Sequence, residues 1–321
     1  MNYRTAIVLA VLAGTAICAP VLLNSRSNAR LAERVVMIGI DGLTFDPVCL
    51  SPGTMPNVES LIASGSFTRF AKATTDAVSG AGWSSFLCGM PPLLTGIQGN
   101  FWTPPWLGGE PPITPITGNG PIPCSLDEAK RQAPELRVNA YFDWGFLEYL
   151  IDDAVVDKRF YCDGHENGYD PCDMLIADEV VGDLSSVSAM PDLTFVYFGS
   201  LDEMGGHRAS WCSEEYISYA AKVDGYVGRI VATLEDTGVR NTTAIILSAD
   251  HGGSFGTRHH GMARDDNINI PFVVSGPSIK VNHVISETPI EVTDVAATAL
   301  AILGLESNKW WRGIFPEEIL A

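Results

Sequence analysis

Positive charge is scarce in this chain. Its 321 residues carry 20 Lys and Arg against 38 Asp and Glu, a formal net charge of −18. Such an acidic chain excludes a nucleic-acid backbone as partner, because phosphate tracking needs clustered Lys and Arg. It also suits an anionic substrate poorly unless bound metal supplies local positive charge. Most of the surface carboxylates are read as serving solubility. Histidine is scarcer still, at six residues. No internal repeat is visible, which excludes a repeat array, and no shift in composition marks a domain boundary. With 46% hydrophobic residues, the chain has enough apolar material for one large core or two modest ones.

Met1–Leu23 reads as an export leader. Arg4 gives a positive start and Thr5–Leu23 is an uncharged, largely apolar run, almost long enough to span a bilayer. Residues 1–29 are expected to be a signal peptide or an N-terminal membrane anchor, and 30–321 a single domain. Cleavage is favoured: Ser27-Asn28-Ala29 is a small-residue site, and Arg26, Arg30 and Arg34 behind the run weaken the charge bias of an anchor. A buried N-terminal helix would lack a polar face. The protein is thus expected to be exported, to a periplasmic or extracellular space, with membrane association retained if the run stays. Removing Cys18 leaves six of the seven cysteines. Cys162 and Cys172 flank a Gly/Asp/Asn-rich loop and form the best candidate pair. The carboxylates of that loop raise calcium as an alternative use, although their spacing matches no standard calcium loop.

Three apolar runs end in chemistry. Arg34–Ile40 reads as a buried strand delivering Asp41. Leu193–Phe198 is followed by Leu201-Asp202-Glu203-Met204-Gly205-Gly206-His207, and Thr243–Leu247 by Asp250-His251. The His259-His260 pair follows the last of these within one Gly-rich loop. Helices are expected over Asn57–Ala63, from about Gly80 to Leu87, over Ser125–Ala133 with Ser125 as cap, over Trp144–Ile151, Cys172–Leu184, Glu214–Leu234 and Val292–Leu303. Short strands are expected at Val138–Phe142 and Pro271–Gly276. Strands alternating with helices predict an α/β fold, a mostly parallel central sheet covered by helices on both faces. In such sheets ligands bind at the carboxyl ends of the strands. Gly96–Gly120 is Gly/Pro-rich and too irregular for a connector, so a cap loop is expected near 96–124. Phe101, Trp102 and Trp106 within it either stack on a base or lipid group or pack the loop itself.

Three carboxylates (Asp41, Asp202, Asp250) and three imidazoles (His207, His251, His260) divide into two sets of Asp plus His. Each set leaves coordination positions open, as a catalytic zinc site requires. Two cations about 4 Å apart clamp the attacking and leaving oxygens of an in-line displacement at phosphorus. Ser79, at the start of a helix, sits in a positive backbone field and is the candidate nucleophile; a plain N-cap role is its structural alternative. The Asp/His mix suits zinc, with manganese or iron as alternatives. A non-enzymatic reading, an exported binding protein merely stapled by metal, leaves Ser79 as a cap.

These motifs carry a resemblance. Ile38–Gly42 (IGIDG), Ser79–Gly89 (SGAGWSSFLCG), Gly96–Asn100 (GIQGN), Ser200–His207 (SLDEMGGH) and the SADHGG…HHG segment resemble the alkaline phosphatase superfamily, with the type I phosphodiesterase / nucleotide pyrophosphatase branch nearest. The likeness runs from Val35 to Leu305. It implies a three-layer α/β/α fold, two zinc ions and hydrolysis of a small phosphate ester or diester. It also implies Asp202, His207 and His260 on one ion, Asp41, Asp250 and His251 on the other, with Ser79 bridging. Asn100 falls where this branch places an asparagine on a non-bridging phosphate oxygen, in place of the arginine of the monoesterases. The branch usually has threonine at the nucleophile. Its D-x-x-G-H pattern is one residue shorter than Asp202–His207, so His207 needs a bulge or shifted turn. His259 competes with His260, and His165 and His283 are read as surface residues. The related sulfatases need Pro and Arg two and four places after the modified residue, where Ala81 and Trp83 stand. The related phosphoglycerate mutases need an inserted domain for which the chain has no room.

Overall fold

The structure is a computed structural model that describes residues 29–109 and 122–321. The export leader, Cys18 and the centre of the Gly/Pro-rich stretch lie outside the described residues. β1 (Arg34–Ile40), α1 (Pro56–Ala63), β2 (Ser66–Lys72), α2 (Ser79–Cys88), α3 (Pro92–Thr95), α4 (Ser125–Gln132) and β3 (Val138–Phe142) come first. They are followed by β4 (Lys158–Tyr161), α5 (Gly164–Asn167), α6 (Tyr169–Leu184), β5 (Leu193–Phe198) and α7 (Glu214–Asp236). The chain closes with β6 (Thr243–Ser248), α8 (Asp265–Ile268), β7 (Asn269–Ser275), β8 (His283–Val284) and α9 (Asp294–Ile302).

One eight-stranded sheet runs β4-β3-β5-β1-β6-β7-β2-β8. Only β7 is antiparallel to its neighbours, so the sheet is mostly parallel, as the alternation of elements predicts. β5, β1 and β6 lie side by side in its centre, and every residue of β5 and β6 is buried. This is why they read as unbroken apolar runs rather than alternating ones. Their registers are level: Gly39 of β1 faces Tyr197 of β5 and Ser248 of β6. The three strands therefore end together at one edge. α2, α4 and α9 pack with one another against one face, and α1, α6 and α7 against the other. The apolar stripe of α7, Ala220, Val223, Val227, Ile230 and Leu234, is the side it buries. Among the described residues no helix is long and apolar enough to cross a membrane.

Local expectations fail where tertiary contacts override propensity. Ser125 is not the cap of α4; Cys124 takes that position, and the Asp127 carboxylate reaches back to accept from Cys124 N–H at 3.0 Å. Trp144–Ile151 is not an α-helix but a 3₁₀ turn over Gly145–Tyr149. β2 and β4 escape the sequence reading because each carries Lys and Arg among its apolar residues and is only part-buried toward the sheet's margins. Three disulfides form: Cys162–Cys172, the expected pair, with Cys49–Cys212 and Cys88–Cys124. Between the first two, Asp163 caps α5, accepting from His165 and Glu166 N–H at 2.9 and 3.2 Å. Trp102 packs against Phe146 and Tyr149, with ring centroids 6.2 and 6.3 Å away, whereas Phe101 is fully exposed.

Candidate metal centre

The level strand ends deliver the carboxylates. Asp41 leaves β1, Asp250 leaves β6, and Asp202 follows β5 by one turn. All three are buried. Two triads result, Asp202 with His207 and His260, and Asp41 with Asp250 and His251, each offering one donor atom per residue within 4.8 Å of the others. They abut through the rings of His251 and His260, stacked with centroids 3.9 Å apart. His259 is exposed and stands outside both triads. His165 is exposed, and His283 lies in β8 near the Glu318 carboxylate.

The extra residue between Asp202 and His207 is absorbed by a π-helix, Leu201–Ala209. Its wider turn closes an i→i−5 bond, Ser210 N–H to Gly205 carbonyl at 3.1 Å. That widening brings residues five apart onto one side, and His207 Nε2 lies 3.3 Å from Asp202 Oδ2. An ordinary α-turn would serve a four-residue spacing.

All three imidazoles are oriented the same way. His251 Nδ1 faces the Gly252 carbonyl at 2.8 Å, His260 Nδ1 the Ala77 carbonyl at 2.7 Å, and His207 Nδ1 the Arg258 carbonyl at 3.1 Å. A carbonyl only accepts, so each Nδ1 carries a proton and each Nε2 is the nitrogen turned toward the triads. Burial pushes the His251 and His260 pKa values down to about 3, which keeps them neutral. His207 and His260 face each other Nε2 to Nε2 at 3.1 Å. Burial also pushes Asp41, Asp202 and Asp250 above the usual carboxylate range. One oxygen of each, Asp41 Oδ1, Asp202 Oδ1 and Asp250 Oδ2, has no hydrogen-bond partner. Orphaned carboxylate oxygens held out of water, faced by imidazole nitrogens, are a costly arrangement unless a cation fills it. The donor set fits divalent metal.

Ser79 opens α2 one residue inside the cap position, which Val78 holds. Its Oγ lies 3.2 Å from His251 Nε2. Asn100 Oδ1 accepts from Gly80 N–H at 2.7 Å, which aligns the asparagine beside the serine. Two positioning side chains escape the sequence reading. Trp83 Nε1 donates to Asp41 Oδ2 at 3.0 Å, and Tyr197 O–H donates to the same oxygen at 2.5 Å. Trp83 stands one helical turn after Ser79, a spacing that could have flagged it. Tyr197 sits opposite Gly39 in the sheet, a pairing no local pattern reveals.

The family model described as type I phosphodiesterase / nucleotide pyrophosphatase matches residues 35–295. Among solved structures, murine ectonucleotide pyrophosphatase / phosphodiesterase 5 superposes with a TM-score of 0.71 at 12% identity, covering 90% of this chain and 100% of that one. A 2-O GAG sulfatase superposes at 0.69 and 14% identity, covering 90% of this chain and 74% of that one. Among curated proteins, an arylsulfatase of Volvox carteri is 36% identical over 93 residues, 26% of this chain and 14% of that protein. The matched stretch is thus a small part of that relative's length. The two structural likenesses establish an alkaline phosphatase-like α/β fold.

Proposed function

This chain belongs to the type I phosphodiesterase / nucleotide pyrophosphatase family, and from that membership we propose that it is a metal-dependent phosphoric ester hydrolase with Ser79 as nucleophile. The observation that carries the reading is the juxtaposition of two Asp/His triads with a serine hydroxyl 3.2 Å from one of their imidazoles. Asp202, His207 and His260 would hold one ion; Asp41, Asp250 and His251 would hold the other. Two divalent ions, zinc by the donor set, supply when bound the Lewis acidity that ionises a hydroxyl and neutralises phosphoryl charge.

The chain's own groups do the rest. Ser79 Oγ gives its proton to water and attacks phosphorus; the Oγ–P bond forms and the bond to the leaving oxygen breaks, the electron pair departing on that oxygen, which takes a proton from water. Water then attacks the phosphoserine, releasing the phosphate product and restoring the hydroxyl. Asn100, its Oδ1 tied to Gly80, has its Nδ2 donors for a non-bridging oxygen. A neutral amide suits the single charge of a diester better than the double charge of a monoester. Three disulfides support export to an oxidising compartment.

The sulfatase relatives make sulfate esters the second reading. Against it, the Trp83 indole that stands where that chemistry needs a cation is already committed to Asp41. Zinc-loaded protein is expected to cleave bis-p-nitrophenyl phosphate about tenfold faster than p-nitrophenyl phosphate, a discrimination of ordinary size for one polar contact. It is expected to leave p-nitrophenyl sulfate intact. Preference for the sulfate would overturn the reading, and cleavage of none of the three would remove the enzyme altogether.

A second prediction concerns fit between α2 and β6. A Cβ on Gly82 would lie 2.7 Å from both the Cβ and the carbonyl oxygen of Asp250. Backbone cannot yield there, so Gly82→Ala must push the serine-bearing helix outward. Because a displacement near 1 Å is enough to misalign attack, kcat on the diester should fall about 10²-fold.

A further inference from the structure

Two carboxyl groups behind the centre belong to neither triad. Asp143 closes β3, the strand beside β5, and Asp173 lies in α6; both are fully buried. Asp173 receives Gly199 N–H on one oxygen at 3.0 Å and Ser200 N–H on the other at 3.2 Å. These are the N–H groups of the joint between β5 and the π-helix that carries Asp202 and His207. Asp143 has no hydrogen-bond donor on either oxygen; Asp173 is its nearest carboxyl neighbour in effect, with Asp41 a weaker one. Two buried carboxyls in contact cannot both ionise. Burial and the neighbouring Asp173 hold the Asp143 pKa well above the usual range, while Asp173, with backbone donors, rises only to about 6. Asp173 already receives two backbone N–H donors and Asp143 none, so the charge settles on Asp173 and Asp143 keeps the proton between them.

The surroundings leave no slack. A Cβ on Gly199 would lie 2.6 Å from Tyr169 Cδ1 and 2.8 Å from Asp143 Oδ1. Asp173 directly follows Cys172, whose disulfide to Cys162 ties α6 to the chain leaving β4. Cys162 N–H in turn bonds the Phe142 carbonyl at the end of β3. One rigid block thus grips the root of the π-helix.

We propose that Asp173, buttressed by protonated Asp143 and locked by the Cys162–Cys172 bridge, is a positioning residue for the Asp202/His207/His260 triad alone. Asp250 and His251 leave β6, and Asp41 leaves β1 with its N–H on the Phe198 carbonyl and its Oδ2 on Tyr197, both ahead of this joint. The proposal rests on the metal-binding reading above.

The test is calorimetric titration of the full chain, disulfides intact and chelator-stripped, with zinc alone. Wild type is expected to take up two equivalents. Asp173→Asn should weaken one of the two by about tenfold or more, the usual effect of losing a supporting group, and leave the other unchanged. Asp143→Asn, which keeps an N–H donor toward Asp173, should retain both. If the Asp173 variant does not fold, Asp143→Ala, which removes the neighbouring carboxyl but leaves Asp173 accepting from both backbone N–H groups, should show the same one-site weakening in smaller degree. Wild-type affinity at both sites in Asp173→Asn, or equal weakening of both, would overturn the proposal. A wild type that takes up no zinc overturns the metal reading itself and this proposal with it.

Discussion

Ser79→Ala is expected to lower kcat/KM on a phosphodiester by about 10⁴-fold or more, the scale seen when a nucleophile is deleted from a cooperating set. That corresponds to about 5 kcal/mol of transition-state stabilisation. Ser79 is buried at the first turn of α2, its Oγ 3.2 Å from His251 Nε2, and no other hydroxyl in the described residues contacts either triad's imidazoles. Zinc uptake should persist in the variant, since three protein donors remain on each ion. Ser79→Thr keeps the hydroxyl and should retain most of the activity. Steady-state kinetics alongside zinc titration separates the outcomes: an alanine variant within about tenfold of wild type removes Ser79 from the reaction.

Stripping the metal should abolish activity and also loosen the fold. Without cations, one oxygen of each of three buried carboxyl groups stays without a partner beside the three imidazoles. Each ion present at a thousand times its dissociation constant adds about 4 kcal/mol to the folded state. Chelation should therefore lower the melting temperature on the order of 10 °C, and added zinc should restore both melting temperature and turnover. Calorimetry with and without chelator, followed by readdition, is the measurement. Unchanged melting together with unchanged hydrolysis would mean that the triads hold no metal.

Much of this centre is legible in the chain because its parts are local. A buried central strand must be apolar along its length, so a carboxylate ending such a run marks a strand end; that rule alone picks out Asp41 and Asp250. The clustering of three of the six histidines within Thr243–Gly261 marks the same edge. Even the misfit at Asp202–His207 is visible as one residue too many, though the π-helix that accommodates it is not. The helices α6, α7 and α9 follow from apolar spacing, and the Cys162–Cys172 bridge from its short, turn-rich loop.

The sequence by itself determined which residue types stand at which strand ends, because backbone periodicity and burial act over a few residues. Only the tertiary structure decided that β5, β1 and β6 are neighbours and that Tyr197 and Trp83 share one oxygen of Asp41. It alone set the other two disulfides and the Asp143–Asp173 pair beneath the π-helix. These are contacts between segments far apart in the chain, selected by how whole layers close on one another, and no local pattern encodes that closure.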